Sequence, residues 1–401
     1  MPDHRFPCDN CGGQLVFAPG QTSLTCPYCG HVQEIPEGEA EEVEAALEEV
    51  DYASTVAALT RGAEYETHRT ITCPSCGAQT EFPEGTQATT CPFCATPLVT
   101  ATASMSRHIK PAAVIPFQLS EGQARDAMTT WLGSLWFAPN GLQEYARKGR
   151  KLDGIYVPYW TFDAQTGTDY RGQRGDHYYV TRTRTVNGKT QTYQERRTRW
   201  RAASGHVQRF FNDVLVMASH TLPKDHTEAL EPWDLGALAP YRPDYLSGLK
   251  AEAYGVEVEE GLREARAKMD AVIDGDIRRD IGGDEQRITS RHTEMSDVTF
   301  KHVLLPVWMA AYKFRDRSFR FVVNAQTGKV QGERPWSKWK IALAVIAALI
   351  AAGVGFYVWD LYQNSGEIFG GDSAAIDGGT PDWLNQRPTA PGDGPSWLNE
   401  E

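Results

Sequence analysis

The chain has 401 residues, of which 41% are hydrophobic and 23% charged, and its formal net charge is −12. This length and composition allow two or three domains with at least one sizeable core, so they exclude a fully disordered protein. The charge is uneven. Residues 1–106 hold 15 acidic and 3 basic side chains, residues 107–359 hold 29 and 36, and residues 360–401 hold 8 and 1. Two acidic ends therefore flank a basic middle.

All eight cysteines lie in the first hundred residues, and each belongs to a Cys-x-x-Cys pair. Two units share the spacing Cys-x2-Cys-x14-Cys-x2-Cys and are offset by 65 residues; they comprise Cys8, Cys11, Cys26, Cys29 and Cys73, Cys76, Cys91, Cys94. Two such pairs can supply the four thiolates of a tetrahedral zinc shell. We therefore predict two structural Zn²⁺ ions, each with a complete shell of four cysteines and no position open for catalysis.

A second interpretation treats TCPYCG (25–30) as the working dithiol of an oxidoreductase, but it leaves the other three pairs unexplained. No apolar run opens the chain, so we expect no signal peptide and a reducing compartment without structural disulfides. His31, next to Cys29, could replace a cysteine as a metal ligand. The simpler interpretation is that it is an ordinary surface residue, because four cysteines already complete the shell. The residues that follow the four pairs, where closure around an ion favours positive φ, are Gly12, Gly30, Gly77 and Ala95.

Between the two cysteine units, the acidic stretch 37–59 has the pattern of a helix with Val43, Leu47 and Val50 on one face. It could bind a partner, or it could be a solvated spacer that packs weakly on a ribbon. Phosphate binding by the ribbons is disfavoured, because counterion release requires a basic footprint and residues 1–106 are acidic.

Residues 341–359 include no charged side chain and would span about 28 Å as a helix, close to the thickness of a bilayer core. A buried helix of a soluble protein is the alternative. Aromatic residues flank the run, as they do at membrane interfaces: Trp336, Trp339, Tyr357, Trp359 and Tyr362. We therefore predict one transmembrane helix.

The charges beside this helix predict its orientation. Arg334, Lys338 and Lys340 precede it, whereas Arg387 is the only basic residue that follows. The positive-inside rule then places residues 1–340 in the cytoplasm and the tail outside, in a single-pass protein of the plasma (inner) membrane. Two rows of small residues could admit a second helix or could simply reflect an alanine-rich anchor: Ala344, Ala348, Ala352 and Ala347, Ala351, Gly355.

The tail is rich in Gly, Asp and Pro, which predicts disorder. It repeats Pro-x-Trp-Leu-Asn in TPDWLNQ (380–386) and GPSWLNE (394–400). Two copies could bind a partner with avidity, touch lipid headgroups, or be a chance duplication. The candidate contact residues are Trp383, Leu384, Trp397 and Leu398.

The middle of the chain has the pattern of a mixed α and β domain. Residues 121–136 and 258–281 have helical periodicity, and GIYVPYWTFDAQTG (154–167) and FRFVVNAQTGKVQG (319–332) resemble strands that end in glycine turns. The likeness of VPYW…DAQTG (157–167) to LPVW…NAQTG (305–328) suggests a duplicated β unit.

Residues 177–200 have the pattern of a hairpin with its turn at Asn187-Gly188. Arg182 and Arg184 should lie opposite Tyr193 and Gln191, and neither face is apolar, so we expect the hairpin to project from its domain. Anionic lipid, nucleic acid or no ligand at all would each be compatible with it. The basic surface comprises Arg171, Arg174, Arg182, Arg184, Lys189, Arg196, Arg197, Arg199 and Arg201.

No catalytic motif is recognisable. NGKT (187–190) lacks the glycine that a P-loop needs and lies in a hairpin pattern, and H-E-x-x-H, G-x-S-x-G and G-x-G-x-x-G are absent. We therefore predict that the protein is not an enzyme.

With its paired ribbons and single span, the chain resembles a bacterial family of zinc-ribbon membrane proteins of the transcription factor IIB type, some of them labelled primosomal protein N′, helicase-like. The motifs that carry the resemblance, over most of residues 1–360, are VIPFQLS (114–120), YVPYW (156–160), YLSGLKAEAYGV (245–256) and VVNAQTGKVQGERPWS (322–337). The resemblance implies a membrane partner of SPFH-type and phage-shock-type proteins. The helicase label has no support here, because the ATPase motif is missing.

The prediction is a multidomain, non-enzymatic adaptor that recruits such proteins at the cytoplasmic face; the alternative is a membrane-tethered DNA- or RNA-binding protein. Its expected parts are zinc ribbon 1 (1–36), an acidic helical linker (37–66), zinc ribbon 2 (67–104), an α+β domain with the basic hairpin (105–335), the transmembrane helix and flanks (336–362) and a disordered acidic tail (363–401).

Overall fold

The computed structural model describes residues 6–36, 43–44, 47–60, 65–81, 88–94, 96–99, 104–137, 152–186, 189–314, 317–333 and 337–365. The chain divides into two compact units, Met1–Trp336 and Ser337–Glu401. Both cysteine clusters and the middle of the chain belong to the first unit. The ribbons and the α+β domain, which the sequence analysis separated, are therefore parts of one body.

The strands of the first unit are β1 (Val16–Phe17), β2 (Ser23–Thr25), β3 (Val32–Glu34), β4 (Val50–Asp51), β5 (Tyr65–Thr72), β6 (Gln79–Glu81), β7 (Ala88–Thr90), β8 (Pro97–Val99), β9 (Ser104–Ile109), β10 (Ala113–Val114), β11 (Asp153–Val186), β12 (Lys189–Met217), β13 (Ala239–Pro240), β14 (Lys250–Ala251), β15 (Glu285–Phe314), β16 (Arg317–Asn324) and β17 (Val330–Gly332). The helices are α1 (Tyr52–Thr60), α2 (Glu121–Ser134), α3 (Lys224–Glu228) and α4 (Val258–Ile281), with 3-10 turns at Leu235–Ala237 and Pro243–Leu246. The second unit contributes α5 (Lys338–Ser365).

Three long strands organise the large sheet. Strand β11 pairs antiparallel with β12 on one side and with β15 on the other. At the base of the sheet, β10 lies parallel to β15, and β16 and β17 extend the sheet beyond β15. A short parallel pairing joins β14 to β11.

Each face of this base packs against a different cysteine module. Because side chains alternate along a strand, neighbouring residues enter opposite cores. Val114 and Leu304 face module 1 (residues 6–36) and α2, whereas Ile115 and Leu305 face module 2 (the described residues of 65–109). The sheet is thus covered on both sides, which explains its continuous apolar runs.

One segment, residues 245–256, contacts both modules. Near its start, the Ser247 hydroxyl donates to the backbone carbonyl of Leu15 in module 1, at 2.6 Å. Near its end, the backbone N–H of Ala253 donates to the carbonyl of Gln79 in module 2, at 3.0 Å. Between these points, β14 pairs with β11. The YLSGLKAEAYGV motif therefore ties the two modules to the sheet.

Away from its base, the sheet continues as a three-stranded arm that α4 supports on one face. The helix buries a stripe at intervals of three or four residues, as the sequence predicts: Val258, Gly261, Ala265, Met269, Ile273, Ile277 and Ile281. Gly261 is required, because a Cβ there would lie 2.7 Å from the Trp160 ring. Arg209 of β12 adds an ion pair with Asp276 of α4, at 2.5 Å.

Several predicted elements are confirmed. Helices α2 and α4 begin at the expected residues, 121 and 258. The hairpin has the predicted register, with Arg182 opposite Tyr193 and Arg184 opposite Gln191. Its turn at Asn187-Gly188 lies outside the described residues. The glycine turn after β16 is also confirmed, with Gly328 at φ +78°.

The predicted helix over 37–59 is interrupted at Val50–Asp51, after which the chain is helical again in α1 (Tyr52–Thr60). Val50–Asp51 is a strand that pairs with β15. The adjoining Glu49 carboxylate accepts a hydrogen bond from the Thr299 hydroxyl and forms an ion pair with Lys301 at 3.2 Å. These partners are about 250 residues away in sequence and override the local helical pattern. This part of the linker is docked on the large sheet, and Leu47 also packs against the core that module 2 shares with the sheet.

The predicted end of a strand at Gly167 is also wrong, because β11 continues to Val186. Gly167 pairs with Gln208 and Glu294 inside the three-stranded arm. The similar NAQTG segment instead forms a buried turn, where the Asn324 side chain accepts from the backbone N–H groups of Gln326 and Thr327. The two copies take different conformations, so their sequence likeness is not a structural repeat.

Glu252 lies in the segment that joins module 2 to the sheet, and its burial makes the stability of the fold depend on pH. Its carboxyl is 3% exposed, and one oxygen accepts hydrogen bonds from the hydroxyls of Ser219 and Thr221. Burial raises the pKa of Glu252 to about 7, although these hydrogen bonds oppose the rise. Since the pKa is higher in the folded chain than in the unfolded chain, stability is fully present below pH 4.5 and falls as the pH rises to about 7.

We therefore expect Glu252→Gln to raise the melting temperature of the detergent-purified protein by about 5 °C at pH 8, and to have little effect near pH 5. Differential scanning fluorimetry at both pH values measures this. Glu294→Gln is the matched control, because Glu294 is 86% exposed on β15. Equal shifts at both pH values would show that burial of this carboxylate does not weaken the fold.

Candidate metal centres and a basic hairpin

Each cysteine cluster brings four sulfur atoms within 4.8 Å of one another. In the first cluster, Sγ of Cys8 lies 3.6 Å from that of Cys29, and Cys11 lies 3.5 Å from Cys26. The second cluster repeats these distances, with 3.5 Å between Cys73 and Cys94 and 3.6 Å between Cys76 and Cys91. A tetrahedral shell with bonds of about 2.3 Å has edges of about 3.8 Å. The sulfur positions therefore fit one metal ion in each cluster.

The backbone forms the same knuckle around the first cysteine of each pair. The backbone N–H of Cys8 donates to the carbonyl of Gly13, and the backbone N–H of Gly12 donates to the carbonyl of Cys8. The pairs at Cys26 and Cys73 repeat both hydrogen bonds, and Cys91 repeats the first. Gly12, Gly30 and Gly77 have φ values of +70°, +73° and +78°, which confirms the predicted role of glycine. Ala95, at the fourth knuckle, lies outside the described residues.

The two cysteines of each pair differ in burial. The first of each pair is at most 3% exposed and belongs to a hydrophobic core; these are Cys8, Cys26, Cys73 and Cys91. The second is exposed or half-buried. A metal ion in either cluster would therefore cross-link a core to the adjoining surface turn, which is a structural arrangement.

One thiol in each cluster is prepared for metal ligation. The backbone N–H of His31 is the main cause that lowers the pKa of Cys29 to about 6. Burial alone would raise the pKa of Cys94, but hydrogen bonds with Thr96 outweigh it and lower that pKa to about 6. A lowered pKa favours the thiolate, the form that binds a metal.

A third group of possible ligands was missed by the sequence analysis. Carboxylate oxygens of Glu49, Asp163 and Asp213 lie within 4.8 Å of one another where the linker crosses the base of the arm. Burial and the nearby Glu49 carboxylate raise the pKa of Asp163 to about 7, and Lys301 already pairs with Glu49. No spacing pattern could have indicated this group, because its members are far apart in the sequence.

The basic hairpin is the second notable feature of the first unit. Strand β15 begins at Glu285, opposite Gly175, so residues 176–186 and 189–199 pair only with each other. This tip would be about 36 Å long at a rise of about 3.3 Å per residue. The predicted projection is confirmed, and all nine basic residues of the surface are exposed.

Two carboxylates of the hairpin form ion pairs with four of the nine basic residues: Asp176 with Arg174 and Arg201, and Glu195 with Arg182 and Arg197. Glu195 pairs with Arg182 at 2.5 Å and with Arg197 at 3.3 Å. The Arg184 guanidinium lies 5.7 Å from the centre of the Tyr193 ring, and Arg199 lies 5.2 Å from that of Tyr178. Arginines therefore cover part of the face of both rings.

The remaining predicted residues fall into two groups. Helix α5 contains both small-residue rows and is long and apolar enough to cross a membrane. Its apolar side chains are exposed, with Leu349 and Phe356 each at 67%. The tail residues Trp383, Leu384, Trp397 and Leu398 lie outside the described residues.

We expect the purified full-length protein to contain two metal ions per chain, and Cys29→Ser or Cys94→Ser to contain one. Each variant should also melt at a lower temperature, because metal binding contributes to folding free energy. Elemental mass spectrometry and thermal melting measure both effects. His31→Ala should keep both ions, because four sulfurs already complete the shell. A metal-free wild-type chain with rapidly alkylated thiols would instead support the dithiol interpretation.

Comparisons with known proteins identify a distant relative. The chain is 29% identical over 239 residues to the uncharacterized protein YdjG of Bacillus subtilis (strain 168). The match covers 59% of this chain and 67% of YdjG. No protein-family model matches the chain, and no solved structure matches it either.

Proposed function

We propose that the chain is a non-enzymatic adaptor, anchored in the plasma membrane by one helix, which recruits protein partners at the cytoplasmic face. The observation that carries this proposal is the closed geometry of four cysteines in both clusters, built into opposite faces of one sheet. A catalytic metal ion keeps a position open for water or substrate, and four sulfurs leave none. The clusters are suited to holding a binding surface in shape.

Zinc is the proposed metal. Four thiolates in a tetrahedral arrangement favour Zn²⁺, which has no geometric preference of its own and no redox chemistry. Each module, with its two knuckles and short antiparallel strands, has the local features of a zinc ribbon.

The proposed membrane anchor is α5. The helix has 28 residues and includes the whole uncharged run predicted from the sequence, residues 341–359. The length of Lys338–Tyr362 suffices for a bilayer core of about 30 Å. Basic residues on the N-terminal side support a cytoplasmic first unit and an external tail.

The proposed partners are SPFH-type or phage-shock-type proteins, as the family resemblance implies. Two of the motifs that carry the resemblance have structural roles in this chain. Residues 245–256 join both modules to the sheet, and Asn324 caps the turn after β16. The partner surface itself would lie elsewhere on the unit or on the tail.

The basic hairpin favours a second candidate, a membrane-tethered nucleic-acid-binding protein. Two observations weigh against it. The modules that would resemble nucleic-acid-binding ribbons offer few cations, none in residues 6–36 and only Arg69 and Arg107 in residues 65–109. Two tyrosines of the hairpin that could stack on bases are partly covered by arginines.

Crosslinking in intact cells, followed by purification in detergent, tests the adaptor role. We expect an SPFH-type or phage-shock-type protein in the eluate of the full-length chain and little nucleic acid. A chain that stops at Gln363 assigns the contact: loss of the partner places it on the tail, and retention places it on the cytoplasmic unit.

The matched control changes only the repeated motif, with Trp383→Ala and Trp397→Ala in the full-length chain. Recovery of RNA or DNA that survives washing in high salt, without any membrane partner, would contradict the adaptor role and support the second candidate.

A further inference from the structure

The basic residues of the hairpin are segregated by face. Residues directly opposite in β11 and β12 share a face, and successive residues alternate between faces. Opposed pairs such as Arg174 with Arg201, and Val186 with Lys189, therefore define one face, here called the basic face. Seven of the nine basic residues lie on it: Arg174, Arg182, Arg184, Lys189, Arg197, Arg199 and Arg201.

The opposite face is nearly neutral in comparison. Between residues 176 and 199 it presents a row of threonines with one basic residue, Arg196. The basic face carries only two carboxylates, Asp176 and Glu195. A hairpin needed only for solubility would have no reason to place its charge on one side.

Three cations of the basic face are not neutralised by a carboxylate of the described residues, although two of them, Arg184 and Arg199, lie over tyrosine rings. Within the part of the chain that the structure describes, Arg184, Lys189 and Arg199 form no ion pair with a carboxylate. They are distributed over the length of the tip, since Arg199 is opposite Asp176 and Lys189 is beside the turn. The complementary ligand is an extended surface of negative charge.

A lipid headgroup layer fits this surface better than a nucleic acid does. A two-stranded ribbon can enter the major groove of DNA, but the tyrosine rings that could stack on bases are here partly covered by arginines. Tyr178 and Tyr193 share the basic face, each with an arginine over part of its ring. Tyrosine with adjacent cations is typical of groups that lie at a membrane interface.

The tether adds a second argument, which rests on the proposed membrane anchoring. Only five residues separate the end of β17 at Gly332 from the start of α5 at Lys338. A short tether keeps the unit at a high effective concentration near the bilayer that holds α5. Weak attraction by several cations is then sufficient for contact.

We propose that the basic face of the hairpin docks on anionic phospholipid headgroups of the membrane in which α5 is anchored. The contact is electrostatic, so it requires anionic lipid and weakens as salt increases. It would fix the orientation of the arm relative to the bilayer.

Hydroxyl-radical footprinting of the full-length protein in nanodiscs tests this proposal. One set of nanodiscs contains phosphatidylcholine only, and the other contains about 30% phosphatidylglycerol. We expect oxidation of Tyr178 and Tyr193 to fall at least about threefold in the anionic discs. Tyr179, which is on the opposite face and is 63% exposed, is the internal control and should not change.

Two triple variants with the same change in net charge distinguish a contact through the basic face from a general effect of net charge. Arg184→Gln, Lys189→Gln and Arg199→Gln should abolish the difference between the two lipids, since three cations are worth on the order of 100-fold in the docking equilibrium. Thr181→Glu, Thr185→Glu and Thr192→Glu lower the net charge by the same three units but place the change on the opposite face. This variant should keep the difference between the two lipids.

Each contrary outcome has a distinct meaning. A chain that does not enter the nanodisc fraction overturns the anchoring, and this proposal with it. A chain that enters, but whose tyrosines are oxidised equally in both lipids, overturns the lipid proposal alone. Protection by an added RNA or DNA oligonucleotide, without protection by phosphatidylglycerol, assigns the basic face to nucleic acid instead.

Discussion

The structure depends on a sheet base whose two faces must both be covered. Its central strands carry apolar residues on both sides, and neither module is large enough to cover both. Module 1 covers the side of Val114 and Leu304, and module 2 covers the side of Ile115 and Leu305. Small modules rarely have enough core to fold independently, so a metal ion would stabilise each one. The first cysteine of every pair is buried in the core on its side of the sheet and would connect a metal shell to the sheet.

The same base supports the arm. Strand β11 passes without interruption from the buried base to the solvated tip, and α4 covers one face only as far as Ile281. Beyond that point neither face of the hairpin is apolar, so its side chains are not required to fill a core. The proposed adaptor thus combines a metal-supported body with a protruding, one-sided basic ribbon.

The sequence predicted well those features that depend on local pattern. The cysteine spacing indicated both clusters, the 3.6-residue period indicated α4 from Val258 to Ile281, and the hairpin register followed from its turn signal. Features that depend on partners distant in sequence were missed. Glu49 is held by Thr299 and Lys301, and Gly167 is paired within a sheet although it resembles a turn residue.

The contacts that join the cysteine modules to the sheet were not predicted, for a related reason. The modules looked separate because their cysteine pattern is self-contained, whereas the residues that join them to the sheet are ordinary apolar and small polar side chains. No sequence pattern at Ser247 or Ala253 predicts their hydrogen bonds with Leu15 and Gln79. The asymmetry of the basic face was present in the alternation of residues 174–201, but its significance required the register of the whole arm.

Hydrogen exchange of the full-length protein before and after chelation of its metal ions tests the central claim most directly. If the modules cover the sheet, metal removal should increase exchange in the base strands, at residues 153–160 and 303–309, as well as around the cysteines. Exchange that increases only in the cysteine turns would contradict the account. The modules would then be independent of the sheet and not its structural support.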